Sequence, residues 1–204
     1  MVKVAKITEQ QRLKALSISS VLDAALECIT GDNIAKILID DIAARAGVGR
    51  ATVYRNFRNK EDIYGQLFRR EFEDFKDQLL AIIDKASKPE DILINCVVFV
   101  VEHFPRTSLY TMIFNEKAGL YSGRLIVSSD VIQNLATEIC IPFYKAIKRS
   151  AQLRPGVTES MLTDWLSRIV VSLITMPSQF QRSTKDLKKY IELLIIPSIM
   201  QSQA

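Results

Sequence analysis

The sequence predicts an all-α protein of about nine helices, and three observations carry that expectation. Breakers are scarce, with 7 Gly and 6 Pro in 204 residues. Apolar residues recur at three- and four-residue steps, the spacing of one helix face. No run alternates apolar and polar side chains as a half-buried strand requires. Hydrophobic residues at 48% and charged residues at 25% are an ordinary globular balance, which excludes a largely disordered chain.

The elements follow in chain order. Residues 1–13 read as a polar arm with Lys3, Lys6 and Arg12, which either frays or extends the first helix from a Thr8–Gln11 capping pattern. The first clear helix covers 14–30, where Ile18, Val21, Leu22, Ala25, Leu26 and Ile29 form one apolar stripe. Gly31, Asp32 and Asn33 stop it, Asn33 tolerating a left-handed backbone. A short helix is expected at 39–46, with Asp40 and Asp41 in the first turn, where the helix dipole favours acids. Gly47 and Val48 break the chain before another short helix at 50–57, with Val53 and Phe57 as buried candidates. Asn59 caps a long helix at 60–86, whose apolar side is Ile63, Leu67, Phe72, Phe75, Leu79, Ile82 and Ile83. Further helices are expected at 89–104, 107–115, 125–151, 158–176 and 184–201, bounded by Pro89, Pro105, Pro155, Pro177 and the stretch 119–123.

Charge divides unevenly along the chain. Residues 1–60 hold 10 Lys/Arg against 6 Asp/Glu, whereas residues 61–204 hold 17 of each. The net charge of +4 therefore belongs entirely to the first 60 residues, which points to a polyanionic partner for that part alone. From Arg45 to Lys60 there are five positive residues (Arg45, Arg50, Arg55, Arg58 and Lys60) and no acid. The three cysteines, Cys28, Cys96 and Cys140, are too far apart for a metal-ligand spacing and odd in number, which fits a reducing cytoplasm. No signal peptide is expected, and the longest purely apolar run, Cys96–Val101, is far short of a membrane span. With one His and no clustered Cys, no nucleophile–base pair, metal cluster or Gly-rich phosphate loop stands out. No enzymatic activity, cofactor, metal or membrane partner is expected.

The spacing from Asp41 to Phe57 is that of a helix-turn-helix. Ala43 is small enough for a close helix crossing, Gly47 supplies the positive φ of the turn, and Ile42, Val48 and Val53 fill the corner. Arg50, Thr52, Tyr54 and Arg55 are left pointing outward on the second helix, with Ala51 adding little bulk. An α-helix fits the major groove of duplex DNA and its N-terminal residues reach base edges. Arg50 is placed for guanine O6 and N7, and the hydroxyls of Thr52 and Tyr54 suit phosphates. Lys60, at the start of the long helix, favours a phosphate both by charge and through the free N–H groups beside it. The DNA-contact candidates are Arg45, Gly49, Arg50, Ala51, Thr52, Tyr54, Arg55 and Lys60.

Residues 14–63 resemble the DNA-binding domain of TetR-type transcriptional regulators. The resemblance rests on Leu22-Asp-Ala-Ala-Leu-Glu27, Asp41-Ile-Ala43, Ala46-Gly-Val48, Thr52-Val-Tyr-Arg-Asn-Phe57 and Asn59-Lys-Glu-Asp-Ile63. It implies phosphate contacts for Thr52, Tyr54 and Lys60, base reading by Arg50 and its neighbours, and an inward Phe57. Three positions depart from the family pattern: Leu38 where Thr is frequent, Gly49 where Ser is frequent, and Asn56 in place of the usual His or Tyr. The resemblance divides the chain into a DNA-binding domain, 1–60, and an effector-binding and dimerisation domain, 61–204.

The resemblance also implies an effector cavity in the middle of the chain and a four-helix dimer interface from the last two helices of each subunit. Between Ile92 and Phe143 the cavity candidates are Cys96, Phe99, His103, Phe104, Tyr110, Met112, Phe114, Tyr121 and Phe143, a set suited to a small, largely apolar effector. For any single one of them, plain hydrophobic core is the better reading. Two broad apolar stripes, Met161 to Ile174 and Leu187 to Ile199, support dimerisation independently, because helices that apolar need cover. The interface candidates are Trp165, Leu166, Ile169, Leu173, Tyr190, Ile191, Leu194 and Ile195. The expected function is a cytoplasmic, homodimeric, ligand-released repressor acting on a palindromic double-stranded DNA operator. The competing expectation is an all-α small-molecule carrier whose basic corner is incidental.

Overall fold

The computed structural model describes residues 9–31, 37–86, 88–114, 130–150, 153–176, 178 and 183–201. Nine helices account for nearly all of these: α1 (Glu9–Gly31), α2 (Ile39–Arg45), α3 (Arg50–Asn56), α4 (Lys60–Lys85), α5 (Pro89–His103), α6 (Ser108–Phe114), α7 (Asp130–Arg149), α8 (Glu159–Thr175) and α9. The last is continuous in three pieces: Thr184–Tyr190, a π-type stretch Ile191–Ile195, and a final turn Ile196–Ile199. A short 3₁₀ turn, Phe104–Arg106, links α5 to α6. The described residues contain no strand, only an isolated bridge between Leu153 and Met200. The all-α expectation holds.

Capping explains most of the boundaries. Asn59 Oδ1 accepts from the Asp62 N–H at 2.8 Å and starts α4. Thr158 and Ser183 do the same for α8 and α9, accepting from the Met161 and Asp186 N–H groups. Pro89 occupies the first turn of α5, where its missing N–H costs nothing. At the N-terminus the second alternative fits: α1 begins at Glu9, so the first helix extends back over residues 9–13. The arm's Lys3 and Lys6, the Asn33 cap, the 119–123 stretch, Tyr121 and Pro177 lie outside the described residues.

Two cores are stacked along α4, a 26-residue helix spanning about 39 Å at 1.5 Å per residue. The first gathers Val21, Ala25 and Ile29 of α1 with Ile42 of α2, Val53 of α3 and Ile63 and Leu67 of α4. It continues through Phe72, Phe75 and Leu79 to Leu109 and Met112 of α6. The second joins Leu93 and Val97 of α5, Phe143 and Ile147 of α7, Leu162 and Leu166 of α8 and Ile191, Ile195 and Ile199 of α9. The expected domain boundary at residue 60 therefore falls just before a helix that serves both halves. Ile63 and Leu67, beyond it, are fully buried among α1–α3.

The π-type stretch has a local cause. Pro197 has no N–H to donate, so the regular bonding pattern cannot run through it. Upstream the register widens, and the Ile196 N–H reaches back five residues to the Ile191 carbonyl. The wider turn keeps Ile191 and Ile195 inward and swings Leu193 and Leu194 outward.

Candidate nucleic-acid interface and apolar cavity

The α2–α3 corner turns through backbone bonds around a left-handed glycine. The Ala46 N–H donates to the Ile42 carbonyl at 2.9 Å, that of Gly47 to Ala44 at 3.2 Å, and that of Val48 back to Ala43 at 3.1 Å. Gly47 has φ 66°, where a side chain would be strained. Ala43, almost fully buried, offers only a methyl group at the crossing. Ile42, Val53 and Phe57, all buried, fasten the corner onto α1 and α4.

What the corner presents is the basic face. Gly49, Arg50, Ala51, Tyr54 and Arg55 are exposed, and Thr52 is half-buried. Arg50 and Tyr54 stand one turn apart on α3. A guanidinium Nη2 lies 3.4 Å from the Tyr54 hydroxyl, and Arg50 Cζ is 5.5 Å from the ring centre. The other nitrogen, Nη1, donates to Asp40 Oδ2 of α2 at 3.0 Å. The Tyr54 hydroxyl first, and the Asp40 charge second, push the Arg50 pKa above its ordinary value. Arg45, at the far end of α2, is exposed and lies 4.0 Å from Glu27 of α1. Lys60 is half-buried in the first turn of α4, its Nζ donating to the Ile37 carbonyl at 3.1 Å. That bond ties α4 to the chain entering α2.

Two residues of this surface were not among the sequence candidates. Asp40 looked like a helix-dipole acid, because nothing in the sequence links it to a residue ten positions on. Asn56 departs from the family pattern and turns out to be a brace. Its Nδ2 donates to Ser17 Oγ of α1 at 3.3 Å and to the Thr52 carbonyl at 3.0 Å. Leu38, at the α2 N-cap, is 62% exposed and gives that helix no side-chain cap. Asp41 compensates by accepting from the Leu38 N–H at 2.9 Å.

A cavity of about 230 Å³ lies between α4, α5, α6, α7 and α8. Cys96, Phe104, Phe114 and Phe143 line it as expected. Phe99, His103, Tyr110 and Met112 do not. Met112 packs into the first core, and Phe99 packs against the same core with its ring tilted against Phe75 at 5.2 Å. His103 is exposed, stacked on Phe99 at 4.6 Å with Nδ1 3.2 Å from the Phe99 carbonyl. Tyr110 packs edge-on to Phe104 at 6.0 Å. The α4 wall (Phe68, Phe72, Phe75, Leu79 and Ile83) and the α8 wall (Leu166, Ser167, Val170, Val171 and Ile174) are not among the cavity candidates of the sequence. Their periodicity identified an apolar face and left open whether it packs on protein or bounds a space.

The described lining holds no ionisable side chain other than two thiols, Cys96 and Cys140. Burial pushes them up to about 12 and about 11, so both are neutral thiols at physiological pH. Ser167, the one lining hydroxyl, is already donating to the Thr163 carbonyl at 2.7 Å. Among the described residues, no three His, Cys, Asp or Glu side chains are grouped to hold a metal ion.

A polar chain runs from α6 through α4 to α1. Ser108 Oγ of α6 donates to Glu71 Oε2 of α4 at 2.6 Å. Glu71 Oε1 accepts from Arg70 Nη2 at 3.2 Å, and Arg70 Nη1 reaches Asp23 of α1 at 2.7 Å. α6 supplies Leu109, Ile113 and Phe114 to the cavity and also contacts α1 and α4 directly.

The dimer candidates separate into two groups. Leu166, Ile191 and Ile195 are 7%, 0% and 2% exposed inside the subunit's own core, so they are not available to a second chain. Trp165, Ile169, Leu173 and Tyr190 are half-buried. Leu194 is 59% exposed, beside Leu193 at 62%, and Met161 and Val171 of α8 are also exposed. No single described helix is long and apolar enough to cross a membrane.

Residues 21–67 match the family described as bacterial regulatory proteins, tetR family. An uncharacterized HTH-type transcriptional regulator of Mycobacterium tuberculosis is 23% identical over 193 residues, covering 95% of this chain and 90% of that one. The fatty acid metabolism regulator protein of Bacillus subtilis is 33% identical over 97 residues, 47% of this chain and 46% of that one. The transcriptional regulator FadR from Bacillus subtilis, solved in complex with stearoyl-CoA, shares the fold at TM-score 0.65 and 17% identity, over 85% of this chain and 96% of that one.

Proposed function

We propose that the chain is a TetR-type transcriptional regulator rather than an enzyme, as its match over residues 21–67 and its relatives named HTH-type transcriptional regulators support, and that it acts as a homodimeric, ligand-released repressor on a palindromic operator. The observation that carries this reading is the exposed Arg50–Tyr54 face at the tip of a buried, rigid corner. In this reading α3 enters the major groove. Arg50 reads a guanine, Thr52, Tyr54 and Lys60 hold phosphates, Arg45 and Arg55 add charge, and the bare backbone at Gly49 and Ala51 permits close approach. The acid-free run from Arg45 to Lys60 supplies the salt-dependent attraction.

A second copy covers Met161, Val171, Leu193 and Leu194, with Trp165, Ile169, Leu173 and Tyr190 at its margin. A two-fold pair then presents two recognition helices at half-sites about 34–36 Å apart, or somewhat more. The effector is a small, largely apolar molecule that occupies the cavity, and the B. subtilis FadR complex with stearoyl-CoA supports a long acyl chain as its first test. Binding releases DNA only if the effector prefers the non-binding arrangement. α6 is suited to transmit that preference, since it bounds the cavity and is bonded through Glu71 and Arg70 to α1. The protein acts where its DNA is, in the cytoplasm.

The test is selection of bound sites from random duplex DNA with the purified full chain. A recovered palindrome is expected, with affinity that falls steeply with salt. Arg50→Ala should weaken binding to that palindrome about 10- to 100-fold and relax sequence preference at one position. Recovery of no preferred sequence would overturn the reading in favour of a ligand carrier.

A further inference from the structure

We infer that Asp40 sets the specificity of DNA recognition by holding Arg50 off the phosphate backbone. The inference rests on the DNA-binding reading above and adds a residue to it.

Asp40 and Asp41 are neighbours in the first turn of α2, where either could serve the helix dipole. The structure gives them different tasks. Asp41 turns back to its own helix and accepts from the Leu38 N–H at 2.9 Å. Asp40 reaches across to α3 and takes Arg50 Nη1 at 3.0 Å. Both side chains of that pair are more than half exposed, at 62% and 57%, on the face that the DNA-binding reading turns toward the duplex. Tyr54 holds the guanidinium from its other side, leaving it clamped between a carboxylate and a phenol.

An exposed ion pair contributes little to folding stability. Its effect on recognition is larger, because the partner is a polyanion. If Arg50 leaves Asp40 to grasp a phosphate, the carboxylate is stranded against the DNA backbone and repelled by it. If Arg50 keeps Asp40 and extends its remaining N–H donors to a guanine edge, no charge is stranded. A guanidinium has five N–H groups, enough for Asp40, Tyr54 and a bidentate base contact together. Asp40 therefore penalises sequence-independent contacts more than base contacts. That is selection by an unfavourable alternative rather than by an added attraction.

The experiment compares wild type, Asp40→Asn and Asp40→Glu as full chains. Each is titrated on the selected palindrome and on a random duplex of equal length, by fluorescence anisotropy across a salt series. Asp40→Asn keeps the shape and an acceptor oxygen but removes the charge. Random-duplex affinity should rise about fivefold, and the slope of log affinity against log salt on that duplex should steepen by about 0.9, one further phosphate contact. The ratio of palindrome to random affinity should fall about fivefold, while Asp40→Glu, which retains the charge on a longer arm, should keep more than half of it. Unchanged thermal melting shows that the Asn variant is folded. A sequence-preferring wild type whose ratio and random-duplex slope survive Asp40→Asn overturns this inference and leaves the DNA-binding reading standing. A wild type without any sequence preference overturns both.

Discussion

At the scale of single residues, the same residue type does different work according to the backbone that carries it. Leu38 begins α2 without a side-chain acceptor and lies exposed, a poor choice on both counts. Leu38→Thr supplies a hydroxyl at the N-cap and removes an exposed apolar side chain. It should stabilise the chain by about 1 kcal/mol, read as a higher denaturant midpoint with an unchanged m-value. Cys96 and Cys140 illustrate the reverse, side chains suited to their place and held neutral by it. Their folded pKa values, about 12 and about 11, stand above the ordinary thiol value of 9.0. Between pH 9.0 and those values the folded chain keeps protons that the unfolded chain has lost. Their contribution to stability is thus complete below pH 9.0 and disappears as pH rises through about 11 and about 12. Alkaline unfolding titrations should show the loss reduced in the Cys96→Ser, Cys140→Ser pair.

At the scale of elements, α6 is short but meets both the cavity and the polar contacts that lead to α1. It closes the cavity with Leu109, Ile113 and Phe114, contributes Met112 to the first core, and is bonded through Ser108 to Glu71. α4 carries that connection onward, because Glu71 and Arg70 are adjacent and Arg70 reaches Asp23 of α1. Glu71→Gln leaves the shape but weakens three charge-assisted bonds, one from Ser108 and two from Arg70. It should change affinity for the operator without effector, and for the effector itself, by less than about threefold, while blunting effector-induced release by about tenfold or more, a coupling change within the usual range. Operator release measured against effector concentration checks this. Equal weakening of all three quantities would assign Glu71 a merely structural role.

At the scale of the whole molecule, the last two helices carry exposed apolar side chains on their outward faces, as α1 does at Leu13 and Leu16. Met161 and Val171 of α8 and Leu193 and Leu194 of α9 are open, while the inward faces of both helices are filled by the subunit's own core. A charge placed on the open face cannot be accommodated in a dry interface. Leu194→Glu should shift the chain from dimer toward monomer in sedimentation experiments and reduce palindrome affinity more than single half-site affinity. Retention of a full dimer would place the interface elsewhere.

The helices, their order and the recognition corner were legible in the sequence because each depends on neighbours within a turn or two. Ile18 to Ile29, Asn59 with Asp62, and Gly47 with Ala43 are local arrangements, and periodicity, capping and a positive φ leave their mark within a few residues. The five positive residues without an acid from Arg45 to Lys60 are of the same kind. What the tertiary structure alone decided is where one element's side chain meets another's. Periodicity shows that Phe72, Phe75, Leu166 and Val170 are inward, but not that they bound a cavity. It places Ile191, Leu194 and Ile195 on one stripe. The wider turn before Pro197 keeps two of them inside and turns Leu194 out. It reads Asp40 as a dipole acid, whereas the crossing of α2 and α3 brings it to Arg50. The physical reason is common to all three. A helix's own geometry sets which residues share a face, and the packing angle and register between helices, which no single stretch of sequence encodes, set what that face confronts.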